Sequence, residues 1–276
     1  MRARAVWQEA QRGESRNGEI SEHNSGLEGG RMDRGLSVSW YDLAESNRER
    51  YLKWLHGTYI PKLLGHPGVL YAAHYKAEES IKPLDRLRHT TDPSVPAGNG
   101  YIFIVGATSP HVLADLTPYK AGAELSSEER TLLGMRAGER RNLFAEEERA
   151  LGPDTRRREG GVMLAPCIQL GSFNAGTWQD EDELLSWYAH FRLPSLNKMP
   201  GCIAIRKLVS VSGWAKHGVL YEFTSLEDRA KQFRAHEAAD EKMAKWTEEV
   251  VVKLMHAPGS PNVAQRIWPP IARRSS

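Results

Sequence analysis

Two stretches of 30 residues decide how this chain reads: SWYDLAESNRERYLKWLHGTYIPKLLGHPG over residues 39–68 and SFNAGTWQDEDELLSWYAHFRLPSLNKMPG over residues 172–201. At a shift of 133 positions Ser39 meets Ser172, Leu52 meets Leu185, Trp54 meets Trp187 and Pro61 meets Pro194. Leu63 then meets Leu196, Pro67 meets Pro200 and Gly68 meets Gly201, making seven identities in 30 positions, with Trp40 and Phe173 as an aromatic match. Further on, a shift of 116 pairs Thr108-Ser109 with Thr224-Ser225 and Ala114 with Ala230. A rare Trp, an interior Pro and a Pro-Gly pair in one register mark two copies of one supersecondary unit.

Working outward, each copy reads as strand, helix, strand, strand, helix. In the first, Leu36–Tyr41 is a strand, and Ser46 with Glu49 forms a capping-box pattern that opens a helix to Leu64. Pro67-Gly68 stops that helix; Val69–Lys76 and Tyr101–Ala107 are strands, the loop Ile81–Gly100 lies between them, and Pro110 starts a short helix. In the second, Cys167–Phe173 is a strand, Asp180–Lys198 a helix with an acidic first turn, and Cys202–Val211 and His217–Phe223 are strands. Ser225 with Asp228 caps a helix toward His236, Trp246–His256 reads as helix, and Asn262–Trp268 supplies a last strand. The expected organisation is a disordered extension over 1–35, a first repeat over 36–120, a charged helical connector over 121–161, a second repeat over 162–270 and a tail over 271–276. A βαββαβ unit is the ferredoxin-like plan. Two such units bury the bare faces of their antiparallel sheets against each other, so the fold class is α+β, with the two sheets forming one barrel.

Composition narrows the function classes. The chain has 276 residues, 40% hydrophobic and 26% charged, with 37 basic against 35 acidic side chains. That excludes a wholly disordered chain, a collagen-like repeat and a disulfide scaffold. A formal net charge of +2 leaves no global field to draw nucleic acid or anionic lipid. The basic runs Arg156–Arg158 and Arg273-Arg274 are short and read as a solvated loop and a tail. No run approaches the ~18 apolar residues of a membrane helix. Cys167 and Cys202 sit in apolar strands without metal-ligand spacing and read as buried thiols of a cytoplasmic protein, although a single disulfide stays open. The first 34 residues lack an apolar core segment and carry many glutamates, unlike a secretory or transit signal, and Met32 stands just before the first strand.

The segments Trp54-Leu-His-Gly-Thr-Tyr-Ile-Pro61 through Pro67-Gly68, and Trp187-Tyr-Ala-His190-Phe-Arg-Leu-Pro194 through Pro200-Gly201, resemble the dimeric α+β barrel superfamily, in particular its EthD-like and REDY-like members. The shared pattern is an aromatic pair, a His shortly after, a Pro, and a Pro-Gly before the second strand. The resemblance covers residues 36–116 and 167–268. It implies a small-molecule enzyme acting on an apolar, aromatic or polyketide-like substrate without a cofactor, by proton transfer of the isomerase, cyclase or monooxygenase kind. In the first copy Gly57 stands where the second has His190, so a site is expected mainly in the second.

On an ideal helix Trp187, His190, Phe191 and Pro194 share one face, the one toward the sheet, with Ser186, Arg192 and Ser195 opposite. That points His190 into apolar surroundings, where a neutral imidazole serves as a base; its plain alternative is a core histidine with one hydrogen bond. Glu222 lies between two aromatics in His217–Phe223 and is a second acid–base candidate, or else the partner of Arg206 on the neighbouring strand. His217 is a third candidate, or a hydrated strand end. Trp187, Gln169, Tyr59 and Arg206 are the substrate-binding candidates. No histidine pair has zinc-ligand spacing, and no nucleophile elbow, P-loop or dinucleotide fingerprint occurs. Two other readings stand beside the enzyme: a haem-binding tandem barrel with His190 and His217 as axial ligands, and a non-catalytic ligand-binding or stress-response module. A monomer and a homodimer both stay open.

Overall fold

Each copy folds in the order strand, helix, strand, strand, helix, strand, and each sheet leaves one face for the other copy and one for its own helices. The computed structural model describes residues 33–81, 86–116, 125–157, 163–238 and 241–271, all within one unit running from Met32 to Ser276. The first copy comprises β1 (Gly35–Asp42), α1 (Glu45–Trp54), a π-helical turn (Leu55–Tyr59), α2 (Ile60–Leu64), β2 (Val69–Ala77), the two-residue β3 (Arg88–His89), β4 (Tyr101–Ala107), α3 (Pro110–Ala114), α4 (Ser127–Leu133) and β5 (Ala137–Leu151). The second comprises β6 (Cys167–Asn174), α5 (Trp178–Trp187), a π-helical turn (Tyr188–Arg192), α6 (Leu193–Leu196), β7 (Cys202–Ser212), β8 (His217–Phe223), α7 (Leu226–Ala238), α8 (Glu241–Val251), β9 (Met255–His256) and β10 (Asn262–Trp268).

Hydrogen bonding runs β2-β4-β1-β5 in one copy and β7-β8-β6-β10 in the other. The last strand of each copy pairs with the second strand of its sister, β5 with β7 and β10 with β2, closing an eight-stranded antiparallel barrel. Strand alternation explains the layering. Leu220 of β8 joins Trp40, Tyr75, Ile104, Phe144 and Leu208 inside the barrel. Val219, Tyr221 and Phe223 face outward against the helices of their copy.

The structure corrects the expected connector. Residues 137–151 form the longest strand of the barrel, not a solvated helix. Its Glu- and Arg-rich sequence favours helix, but its charges turn into the barrel and find partners there. Arg140 lies 3.9 Å over the Trp40 ring and donates to Ser172 Oγ at 3.0 Å, and Glu146 accepts from Arg206 at 2.5 Å. Tertiary pairing overrides local propensity. The first repeat therefore extends to Leu151. Asp33, expected in the extension, is buried against Arg206 and belongs to the barrel; the rest of the expected extension lies outside the described residues.

Three smaller expectations change. The first helix is capped at Ala44 without a side-chain bond, so the Ser46–Glu49 box does not form, whereas Ser225 accepts from Asp228 N at 3.0 Å as expected. The helix expected over Trp246–His256 ends at Val251 and gives way to β9. The match of Trp40 to Phe173 fails in the sheet, because Trp40 is inside the barrel and Phe173 packs outside it. Both cysteines are free and buried, and burial pushes each thiol up to about 12. Among the described residues no helix is long and apolar enough to cross a membrane.

Tyr71 crosses the barrel over Gly106 to reach Asp33 at 2.6 Å. A Cβ at Gly106 would stand 2.2 Å from Tyr71 Cζ. Gly106→Ala is expected to cost at least the roughly 1–3 kcal/mol of an overpacked core, read as a lower midpoint in urea. Gly57→Ala, with nothing within 4 Å of the added carbon, is the matched control and leaves the midpoint unchanged or raises it.

Candidate active site

The two π-helical turns fall at the same place in the repeat, each followed one residue later by a proline, Pro61 or Pro194. Proline lacks an N–H and its ring crowds the carbonyl four residues back, so the turn before it opens by one residue. An extra residue rotates everything beyond it by about 100° around the helix. In the second copy the buried positions are accordingly Leu184, Trp187, Tyr188, Arg192, Leu193 and Leu196. His190, expected to face the sheet, is exposed, and Arg192, expected to face solvent, is buried. The ideal-helix face drawn through Trp187 and His190 is thus corrected by the π turn.

Between the outer face of the second sheet and its helices lies a cavity of about 130 Å³. Its floor is Gln169, Gly171 and Phe173 of β6 with Val219 and Tyr221 of β8. Trp187, Tyr188 and Arg192 enter from the first helix, Arg229 and Phe233 from α7, Thr247 from α8, and His256 from β9. Floor size follows from one cross-strand pair. Gly171 faces Val219 here, whereas Ser39 faces Phe103 in the first copy, where the cavity shrinks to about 30 Å³.

The cavity's charge is one-sided. Its described lining holds Arg86, Arg192 and Arg229 and no carboxylate. Arg229 donates through Nε and Nη2 to Gln169 Oε1 at 3.1 and 2.6 Å. Arg192 Nε donates to Tyr221 Oη at 3.1 Å, and its guanidinium lies 5.2–5.4 Å from the ring centroids of Trp187, Tyr221 and Phe233, which gives a flat cationic surface edged by aromatic rings. Three buried polar atoms of lining residues, Trp187 Nε1, Thr247 Oγ1 and His256 Nδ1, have no hydrogen-bond partner among the described residues. Burial, helped by the nearby His89, pushes His256 down to about 4, so the ring is neutral around pH 7.

The other expected site residues stand elsewhere. Glu222 and Arg206 point into the barrel. Glu222 accepts from the Ala165 N–H at 2.9 Å, and Arg206 is held by Asp33 and Glu146. His217 bridges Lys207 Nζ at 2.9 Å and Glu181 Oε2 at 2.8 Å, outside the cavity lining; burial and then Lys207 lower its pKa. Tyr59 is half-buried, stacks on Trp54 and lines the small cavity of the first copy. Of the expected set, Trp187 and Gln169 meet in the large cavity. Arg192, Arg229, Thr247 and His256 were not among the expected site residues; the one available signal was Pro194, which marks the widened turn.

Haem does not fit this cavity. His190 and His217 lie outside it, His256 is its one histidine among the described residues, and its volume is near the ~150 Å³ that accommodates a benzene ring. Among the described residues no group of three His, Cys, Asp or Glu is placed to hold a metal ion.

No protein-family model and no curated protein matches this chain. Solved structures do. An anthrone oxidase-like protein superposes with a TM-score of 0.58 at 14% identity, covering 86% of this chain and 93% of its own. A candidate monooxygenase from Fusobacterium nucleatum superposes with a TM-score of 0.53 at 10% identity, covering 84% and 91%. These neighbours belong to the dimeric α+β barrel superfamily, and the likeness shows the fold: this chain builds the same barrel from its two tandem copies.

Proposed function

We propose that the chain is a cofactor-independent enzyme acting on a single-ring aromatic compound, or a planar molecule of that size, that carries an ionisable oxygen. The carrying observation is a ring-sized cavity whose charged lining is entirely cationic. His256, neutral and with one ring nitrogen free of protein partners among the described residues, accepts a proton from a phenol or from carbon next to a carbonyl. The oxyanion left behind is held by Arg192 or Arg229. Isomerisation, cyclisation and reaction with oxygen all start from such an anion. The names of the two neighbours, an oxidase-like protein and a monooxygenase, fall in the last of these classes. A purely binding role is served less well, because it leaves the neutral, desolvated His256 without a task.

The test is a thermal-shift screen of substituted phenols and benzoates, followed by proton exchange of the bound compound in heavy water. Binders are expected to raise the melting temperature saturably, by the equivalent of about 2.7 kcal/mol at 100 times Kd. Arg192→Met weakens them about tenfold or more. His256→Gln removes exchange while binding persists, and the exposed His190→Ala changes neither. Absence of any saturable binder, or loss of exchange in His190→Ala, overturns the reading.

A further inference from the structure

The small cavity of the first copy is built at the place in the repeat that the large one occupies in the second. Tyr59, the last residue of its π turn, enters it as Arg192 enters the other. Its remaining polar wall is Ser37, Ser39, Arg136 and Arg141. The Arg136 side chain is 6% exposed. Its Nη1 is paired with Glu139 at 2.6 Å and its Nε with Tyr51 Oη at 2.6 Å, but its Nη2 is buried with no hydrogen-bond partner among the described residues. Arg141 donates to two neutral acceptors, Ser37 Oγ at 3.1 Å and the Leu116 carbonyl at 2.9 Å. Two guanidiniums thus share one bonded carboxylate beside an empty space.

A buried guanidinium N–H without an acceptor is costly, and an excess cation in a desolvated site calls for a counter-charge. A planar oxyanion answers both demands, since two oxygens in one plane match the forked N–H groups of arginine. Size selects among such anions. The volume of about 30 Å³ exceeds the roughly 10–15 Å³ that one water needs, yet it leaves no room for a ring or a branched acid. We propose that this cavity is a second ligand site, separate from the large one, that takes a small planar oxyanion of the carboxylate class between Arg136 and Arg141.

Formate titrated into the full chain at constant ionic strength in sodium sulfate tests this, by calorimetry and by melting temperature, with pivalate as the bulky comparison. Formate is expected to bind saturably and pivalate to have no effect at this site. Arg141→Gln lowers formate affinity about tenfold or more, and Ser39→Val, which fills the cavity and leaves every charge in place, abolishes binding. Where Arg141→Gln does not fold, Ser39→Val decides alone. Benzoate, a probe of the large cavity, keeps its effect in both variants, so failure here is distinguishable from failure of the aromatic-substrate reading. No saturable formate response in the unaltered chain, or equal formate affinity in chain and variants, overturns the proposal.

Discussion

Arg206→Ala is expected to cost the barrel about 3–5 kcal/mol, the penalty for leaving buried charge without its partner. Arg206 is fully buried and donates to Asp33 Oδ2 at 2.7 Å, to the Asp33 carbonyl at 2.6 Å and to Glu146 Oε2 at 2.5 Å. Arg149 holds the same two carboxylates at 2.7 and 2.6 Å. One cation remains for two desolvated anions once Arg206 is gone. The cluster also joins three distant parts of the chain, since Asp33 precedes β1, Glu146 lies on β5 and Arg206 on β7. For a domain of this size the loss corresponds to a fall in melting temperature on the order of 10 °C. Removing the anion as well should return part of the loss, so Arg206→Met with Asp33→Asn and Glu146→Gln is expected to be more stable than Arg206→Ala. A drop of less than about 3 °C for Arg206→Ala would show that the cluster contributes little.

The second large effect is a loss of stability in mild acid. Burial holds His256 neutral in the folded chain, with its pKa pushed to about 4, while the unfolded chain titrates near 6.5. As pH falls below that value the unfolded state takes up the proton first, so stability is full above about 6.5 and is lost as pH drops toward 4. A shift of this size amounts to roughly 3 kcal/mol. His74, fully buried between Tyr41 and His56, and His217 are shifted in the same direction, each chiefly by burial. Urea midpoints measured between pH 4.5 and 7 should therefore fall with acidity, and His256→Gln should flatten the curve. An unchanged slope in that variant would mean that His256 is not held neutral in the folded state. A bound phenolate or carboxylate in the cavity would favour the charged imidazole and shift the window upward.

How much of this was legible differs from element to element. Strands His217–Phe223 and Asn262–Trp268 have the bounds their alternation implies. The placement of Trp187 and Gln169 at the helix–sheet cavity also follows from period and position. Strand β5 was not legible, because Glu146, Arg140 and Asn142 look solvated until residues far along the chain, such as Ser172, Arg206 and Ser210, supply their partners. His190 was misplaced for a local reason. The extra residue of the π turn is set by the proline and its packing, and a 3.6-residue template carries no place for it.

What the sequence by itself determined is the duplication, the α+β class and the pairing of two sheets, because these rest on periodicities and punctuation that act within a few residues. Which side chains face one another was decided only by the tertiary structure. Closing the barrel turned the charged connector into a strand, buried Arg206 and Glu222 inside, and set Gly171 opposite Val219. The widened turn exchanged His190 for Arg192 at the cavity wall. Charge and shape at a site depend on long-range neighbours and on single-residue rotations, and neither is encoded in the local pattern that specifies a helix or a strand.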